Sequence, residues 1–189
     1  MEPTLEEKKI LLEIARASIN SFFTGENIPE PDYQKYPILK SHAGAFVTLT
    51  EKRILRGCIG YIISDQPLFD TVCEAAVQAS QHDPRFISVR HSEVENILIE
   101  ISILSEPFPL KSYGEIIIGK HGLILEEKGH RGLLLPQVPI EHKMDRDQFL
   151  DAICRKSGFS AGYWKTHELS LNGFTATVFS ESSISSESI

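Results

Sequence analysis

Apolar residues recur along this chain with two distinct periods, and the switches between them mark the elements. Leu11, Ile14, Ala15, Ser18, Ile19 and Phe22 keep helical spacing, so one stripe of an amphipathic helix over Thr4 to Phe23 faces a core. Thr4 and Glu7 stand in the S/T-x-x-E arrangement in which a hydroxyl and a carboxylate each satisfy an orphan amide at a helix start, and Gly25 supplies the stop. Pro29, Pro31 and Pro37 then break regular structure up to His42. Ala45 to Thr50 and Ile54 to Ile63 read as two antiparallel strands joined at Glu51-Lys52-Arg53.

Asp65-Gln66-Pro67 opens a second helix, with aspartate as cap and proline in the first turn. Leu68, Val72, Ala75, Ala76 and Ala79 form its buried side, small enough to lie close on a sheet, and it ends near Gln81, ahead of Pro84. The clearest strand is Ile97 to Ile103, where isoleucine alternates with other residues at a period of two. Two short apolar runs follow around the glycine turn Gly119-Lys120-His121-Gly122. After Lys128-Gly129-His130-Arg131-Gly132 comes Leu133-Leu134-Leu135. Asp145 and Gln148 cap a third helix with Phe149, Leu150, Ile153 and Cys154 on one face and Gly158 at its end. Phe174, Ala176 and Val178 read as one last strand. The stretch from Ser180 onward is Ser and Glu rich, and the pattern predicts a disordered tail over 182–189. Strands arriving as hairpins, without regular helix alternation, predict an α+β fold with a mainly antiparallel sheet flanked by helices.

Composition narrows the function classes. A chain of 189 residues, 41% hydrophobic and 24% charged, can bury a sizeable core. Its net charge of −7 argues against phosphate-backbone binding, so nucleic acid is not an expected partner. Three cysteines without CxxC spacing point to a reducing, cytoplasmic setting. The acidic N-terminus does not read as a secretory signal, and no apolar run reaches the roughly 20 residues that span a bilayer.

Chemistry concentrates at Leu55-Arg56-Gly57-Cys58-Ile59-Gly60. On a regular strand Arg56, Cys58 and Gly60 share one face, opposite a core face bearing Leu55, Gly57, Ile59 and Tyr61. Gly60 would leave room for a ligand there, and a guanidinium within reach favours thiolate over thiol. The same residues also fit a plain structural role, with Cys58 a small hydrophobe, Arg56 paired to a carboxylate and the glycines marking a bulge or close crossing. Cys73 and Cys154 read as core thiols. His121 and His130, in glycine turns, are the histidines that could aim a ring into a cleft as acid or base, although the pattern favours a solvated turn residue for each. No HxH, HExxH or paired CxxC occurs, so neither a metal nor another cofactor is expected. Asp83-Pro84-Arg85-Phe86 is either an ordinary aspartate turn or an anion clamp beside the Cys58 strand.

Six ordered motifs carry a family resemblance. Leu55 to Gly60, Asp83 to Phe86, Ile101 to Leu104, Gly119 to Leu123, Gly132 to Val138, and Phe149-Leu150 with Lys156-Ser157-Gly158 resemble those of the AMMECR domain family, whose prokaryotic members are called AmmeMemoRadiSam system protein A. The likeness runs from about Leu11 to Glu181. It implies a single domain over 1–181 with a larger and a smaller lobe, and a cleft near the Arg56 to Gly60 strand. It also implies association with a Memo-type protein and a radical SAM protein, and it supplies no settled reaction. His142-Lys143-Met144 and Lys156-Ser157-Gly158-Phe159 depart from the family pattern. Two functions follow as expectations. One is an enzyme or enzyme subunit in which Cys58, helped by Arg56, Gly57, Gly60, Asp83 and Arg85, handles a small anionic substrate, with His121 or His130 moving a proton. The other is a non-catalytic accessory module for those two partners.

Overall fold

The reciprocal capping box forms as the pattern predicts: the Thr4 hydroxyl accepts from the Glu7 N–H while the Glu7 carboxylate accepts from the Thr4 N–H, starting α1 (Leu5–Thr24). Gly25, at φ 73°, ends it in the left-handed region. The computed structural model describes residues 2–186. Its further elements are β1 (Ala45–Glu51), β2 (Ile54–Tyr61), α2 (Leu68–Gln81), β3 (Ile97–Leu104), β4 (Phe108–Pro109), β5 (Gly122–Glu127), β6 (His130–Leu134), α3 (Val138–Glu141), α4 (Arg146–Lys156), β7 (Leu171–Phe174), β8 (Ala176–Ser180) and α5 (Glu181–Ser186). The fold is α+β, with helices and two four-stranded sheets built from antiparallel pairs. Among the described residues no helix is long and apolar enough to cross a membrane.

The chain divides into two compact units, one running to Leu104 and resuming at Thr177, the other Ser105–Ala176. In the first, the sheet order is β2-β1-β3-β8. Val47 and Leu49 of β1 and Ile97, Ile99 and Ile101 of β3 join Leu11, Ile19, Leu68 and Val72 of the helices in one buried cluster. The alanine face of α2 brings its backbone onto β2, so that a Cβ at Gly57 would lie 2.0 Å from the Ala79 carbonyl oxygen. In the second unit the order is β4-β7-β5-β6. There α4, started by the Asp145 and Gln148 capping box, seats Phe149, Leu150, Ile153 and Cys154 in a cluster with Leu123 and Leu125.

Several expectations need correction. The β1–β2 hairpin turns on Lys52 and Arg53 alone, both at positive φ, and a bulge skips Arg56: Leu49 faces Gly57, but Thr50 faces Leu55. Directly opposed residues share a face, so the bulge moves Leu55 off the Gly57 face and onto the face that bears Thr50, Thr48 and Cys58. Asp65 does not cap α2; Pro67 holds the cap position without a side-chain bond, and the Ser64 hydroxyl accepts from Gln66 N–H and Thr71 O–H. The run from Phe174 to Val178 is not one strand, because the chain leaves one sheet at Thr175 and enters the other. Finally, 182–186 belong to α5, whose Ile184 is buried in the first core, while 187–189 lie outside the described residues. One aliphatic in a polar run is enough to dock a short helix, which a composition argument averages away.

Candidate functional site

Cys58 lies on β2, an edge strand, with its backbone N–H and C=O unpaired by β1's side of the ladder. The segment after α2 satisfies both. Asp83 Oδ2 accepts from Cys58 N–H at 2.9 Å, and Arg85 Nη2 donates to Cys58 O at 3.1 Å. Pro84 and the end of α2 aim these two side chains back at the strand, closing an edge that would otherwise stay open. Arg85 is itself held by a bidentate fork, Nε to Asp83 Oδ1 at 2.9 Å and Nη2 to Oδ2 at 2.7 Å.

The pair is oriented. Asp83 is 2% exposed and Arg85 is 55% exposed, so the carboxylate sits behind and the guanidinium faces outward. Hydrogen bonds from Arg85 hold the Asp83 carboxyl well below the usual carboxylate range, outweighing burial, with the Cys58 and Arg85 backbone N–H groups adding to the effect. Arg85 is in turn pushed above its ordinary value, first by Asp83, with the Cys58 side chain contributing. Its Nη1 makes no hydrogen bond among the described residues. On the sulfur side, the Thr48 hydroxyl donates to Cys58 Sγ at 3.3 Å from the opposed position on β1.

Arg56 is engaged elsewhere. Its Nε and Nη2 bind Glu93 at 3.1 Å, Nη2 also reaches Ser88 O at 3.2 Å, and Nη1 bonds Ile87 O. It ties the bulged strand to the loop after α2, and the guanidinium bonded to Cys58, at its carbonyl, is that of Arg85. The two glycines leave no hollow either. The space beside Gly60 is taken by Phe46, whose Cγ would lie 2.6 Å from an added Cβ, and that beside Gly57 by α2. Glycine is needed at both for close approach of protein to protein.

The two histidine candidates belong to the second unit. His121 is buried, its Nδ1 facing Ile117 N–H at 3.4 Å and its ring edge-on to Phe108. His130 lies tilted against Phe159, at the end of a stack continued by Tyr163 and His167. Burial raises the thiols of Cys73 and Cys154 above the ordinary range. No group of three or more His, Cys, Asp or Glu among the described residues could hold a metal ion. Thr48 and Glu93 were not singled out from sequence. Thr48 could have been found only by counting register from the hairpin tip, and the bulge makes that count fail by one.

Comparison with known proteins agrees with this architecture. Residues 12–179 match the family model described as AMMECR1. A relative from Methanosarcina barkeri, Protein Mbar_A1807, is 39% identical over 184 residues, covering 93% of this chain and 90% of its own. One from Methanothermobacter thermautotrophicus is 38% identical, covering 93% and 95%. The crystal structure of uncharacterized protein PH0010 from Pyrococcus horikoshii superposes with a TM-score of 0.85 at 34% identity, over 96% of this chain and 93% of that one.

Proposed function

The chain belongs to the AMMECR1 family, and from that premise we propose that it is an enzyme or enzyme subunit whose Cys58 acts as nucleophile toward a small anionic substrate. The observation that carries this reading is the outward-facing Arg85, fixed by the buried Asp83, anchored to the Cys58 carbonyl and left with Nη1 uncommitted. Nη1 holds the substrate's anionic group while Sγ reaches its electrophilic carbon. In that step a sulfur lone pair forms the S–C bond, the π pair of the attacked C=O moves to oxygen, and that oxygen takes up, through solvent, the proton the thiol gives up. Thr48 directs its hydroxyl at the sulfur.

Alkylation with iodoacetamide near neutral pH, followed by peptide mass analysis, tests the reading. Cys58 is expected to react well ahead of Cys73 and Cys154, whose thiols burial keeps protonated. Equal sluggishness at all three in the folded protein would sink it.

A second reading, docking onto a Memo-type or radical SAM partner, is favoured by one feature. Leu55 and Leu98 flank Thr50 on the Cys58-bearing face and are 38% and 44% exposed, an uncovered aliphatic row beside the site. On that reading L98E abolishes co-purification with the partner while C58S leaves it intact. Co-purification that L98E leaves intact would overturn that reading.

A further inference from the structure

A concavity lies in the first unit, between the later turns of α1 and the turn His91–Asn96. It is an open groove of about 680 Å³ lined by Arg16, Asn20, His91, Ser92, Val94 and Glu95, within the size range of small-molecule sites. Each lining group can be assessed for what it still offers. Arg16 has four of its five N–H groups engaged, because Nε and Nη2 bind Glu181, Nη1 donates to Val94 O and Nη2 to Ile97 O, all at 2.7 to 2.8 Å. The Arg16 charge in the groove is therefore already matched by Glu181. Val94 is buried and apolar. His91 has one face stacked on Phe23, 5.1 Å between centroids. The side chains of Asn20, Ser92 and Glu95 have no hydrogen-bond or ion-pair partner among the described residues.

Charge points the same way. The first unit holds seventeen Asp and Glu against ten Lys and Arg, and the second holds nine of each, so the whole net charge of −7 falls on the unit that carries the groove. We infer that this groove binds a small organic ammonium ion carried on an alkyl chain. Glu95 pairs with one ammonium, the Asn20 carbonyl and Ser92 hydroxyl accept from its N–H groups, and the methylene chain lies over Val94 and the His91 ring. A mixed acceptor set around an apolar floor suits an alkyl ammonium better than a bare metal ion, which would need more oxygen ligands.

Titrating the ¹⁵N-labelled full chain with putrescine at about 0.15 M salt, where surface fields are screened within about 8 Å, tests it. Saturable amide shifts confined to 16–20 and 91–95 are expected, with a Kd on the order of millimolar. E95Q should weaken binding by about fivefold, the worth of one exposed ion pair, and succinate of the same carbon count should leave the groove untouched. Glu95 is exposed and unpartnered, so its substitution leaves the fold as it is. Shifts spread over the acidic surface without saturation, binding indifferent to E95Q, or succinate occupying the groove would each overturn the inference.

Discussion

Replacing Asp83 by asparagine probes the frame of the Cys58 site at its most connected point. Oδ2 accepts from Cys58 N–H and Arg85 Nη2, and Oδ1 accepts from Arg85 Nε and Arg85 N–H. Whichever way the amide is turned, its NH₂ confronts two donors, so two charge-assisted bonds are lost and none replaces them. Such bonds contribute about 1.5–3 kcal/mol each in net terms, and the half-exposed guanidinium recovers part of its share from water. The expected loss is roughly 2–4 kcal/mol, read as a urea midpoint lower by about 1–2 M. The sign of the pH dependence follows from the direction of the shift. The folded carboxyl titrates below its unfolded value of 3.8, so its contribution is fully present above that pH and is lost as pH falls toward the folded value. The gap between wild type and D83N should hold from neutral pH down to about 4, then narrow by about 1.4 kcal/mol for each pH unit below 3.8. A D83N protein within about 0.5 kcal/mol of wild type at pH 7, or a gap that does not narrow in acid, would refute the reasoning.

Gly57→Ala drives a Cβ to 2.0 Å from the Ala79 carbonyl oxygen, and backbone cannot swing aside. A loss of at least about 2 kcal/mol in chemical denaturation is expected, while Gly114→Ala, whose new Cβ meets nothing nearer than the Ser112 hydroxyl at 3.4 Å, stays within about 0.5 kcal/mol. Tyr61 is pushed up to about 12 chiefly by burial, with its bond to Glu74 adding, so an ultraviolet titration should show a phenol ionising near 12 that Y61F removes. Because this value is raised, the stability it confers is full below the ordinary 10.0 and disappears as pH rises through about 12.

Much of the fold was legible from local pattern. Both capping boxes, the isoleucine strand at β3 and the alanine face of α2 each depend on residues within a few positions of one another, and each appears where the spacing places it. The elements that were misread depend on distant atoms. Thr175 divides two strands only because separate sheets claim its two sides, and α5 forms around an Ile184 that has a core to enter. The site was legible as a list and not as an arrangement. Arg56 and Arg85 are equivalent by type, and no spacing rule says which one meets Cys58.

The sequence by itself determined where periodicity changes, which faces are apolar, which family the chain resembles and which chemical groups lie on and after the second strand. Tertiary structure decided the rest, through one extra residue and one packing distance. The bulge at Arg56 turns Leu55 outward and sets Thr48 across from Cys58. The close approach of α2 to Gly57 carries Asp83 and Arg85 to the strand's open edge. A register shift of one residue reverses every side chain beyond it, and a hydrogen bond across 25 positions has no local signature. Both are properties of the packed chain alone.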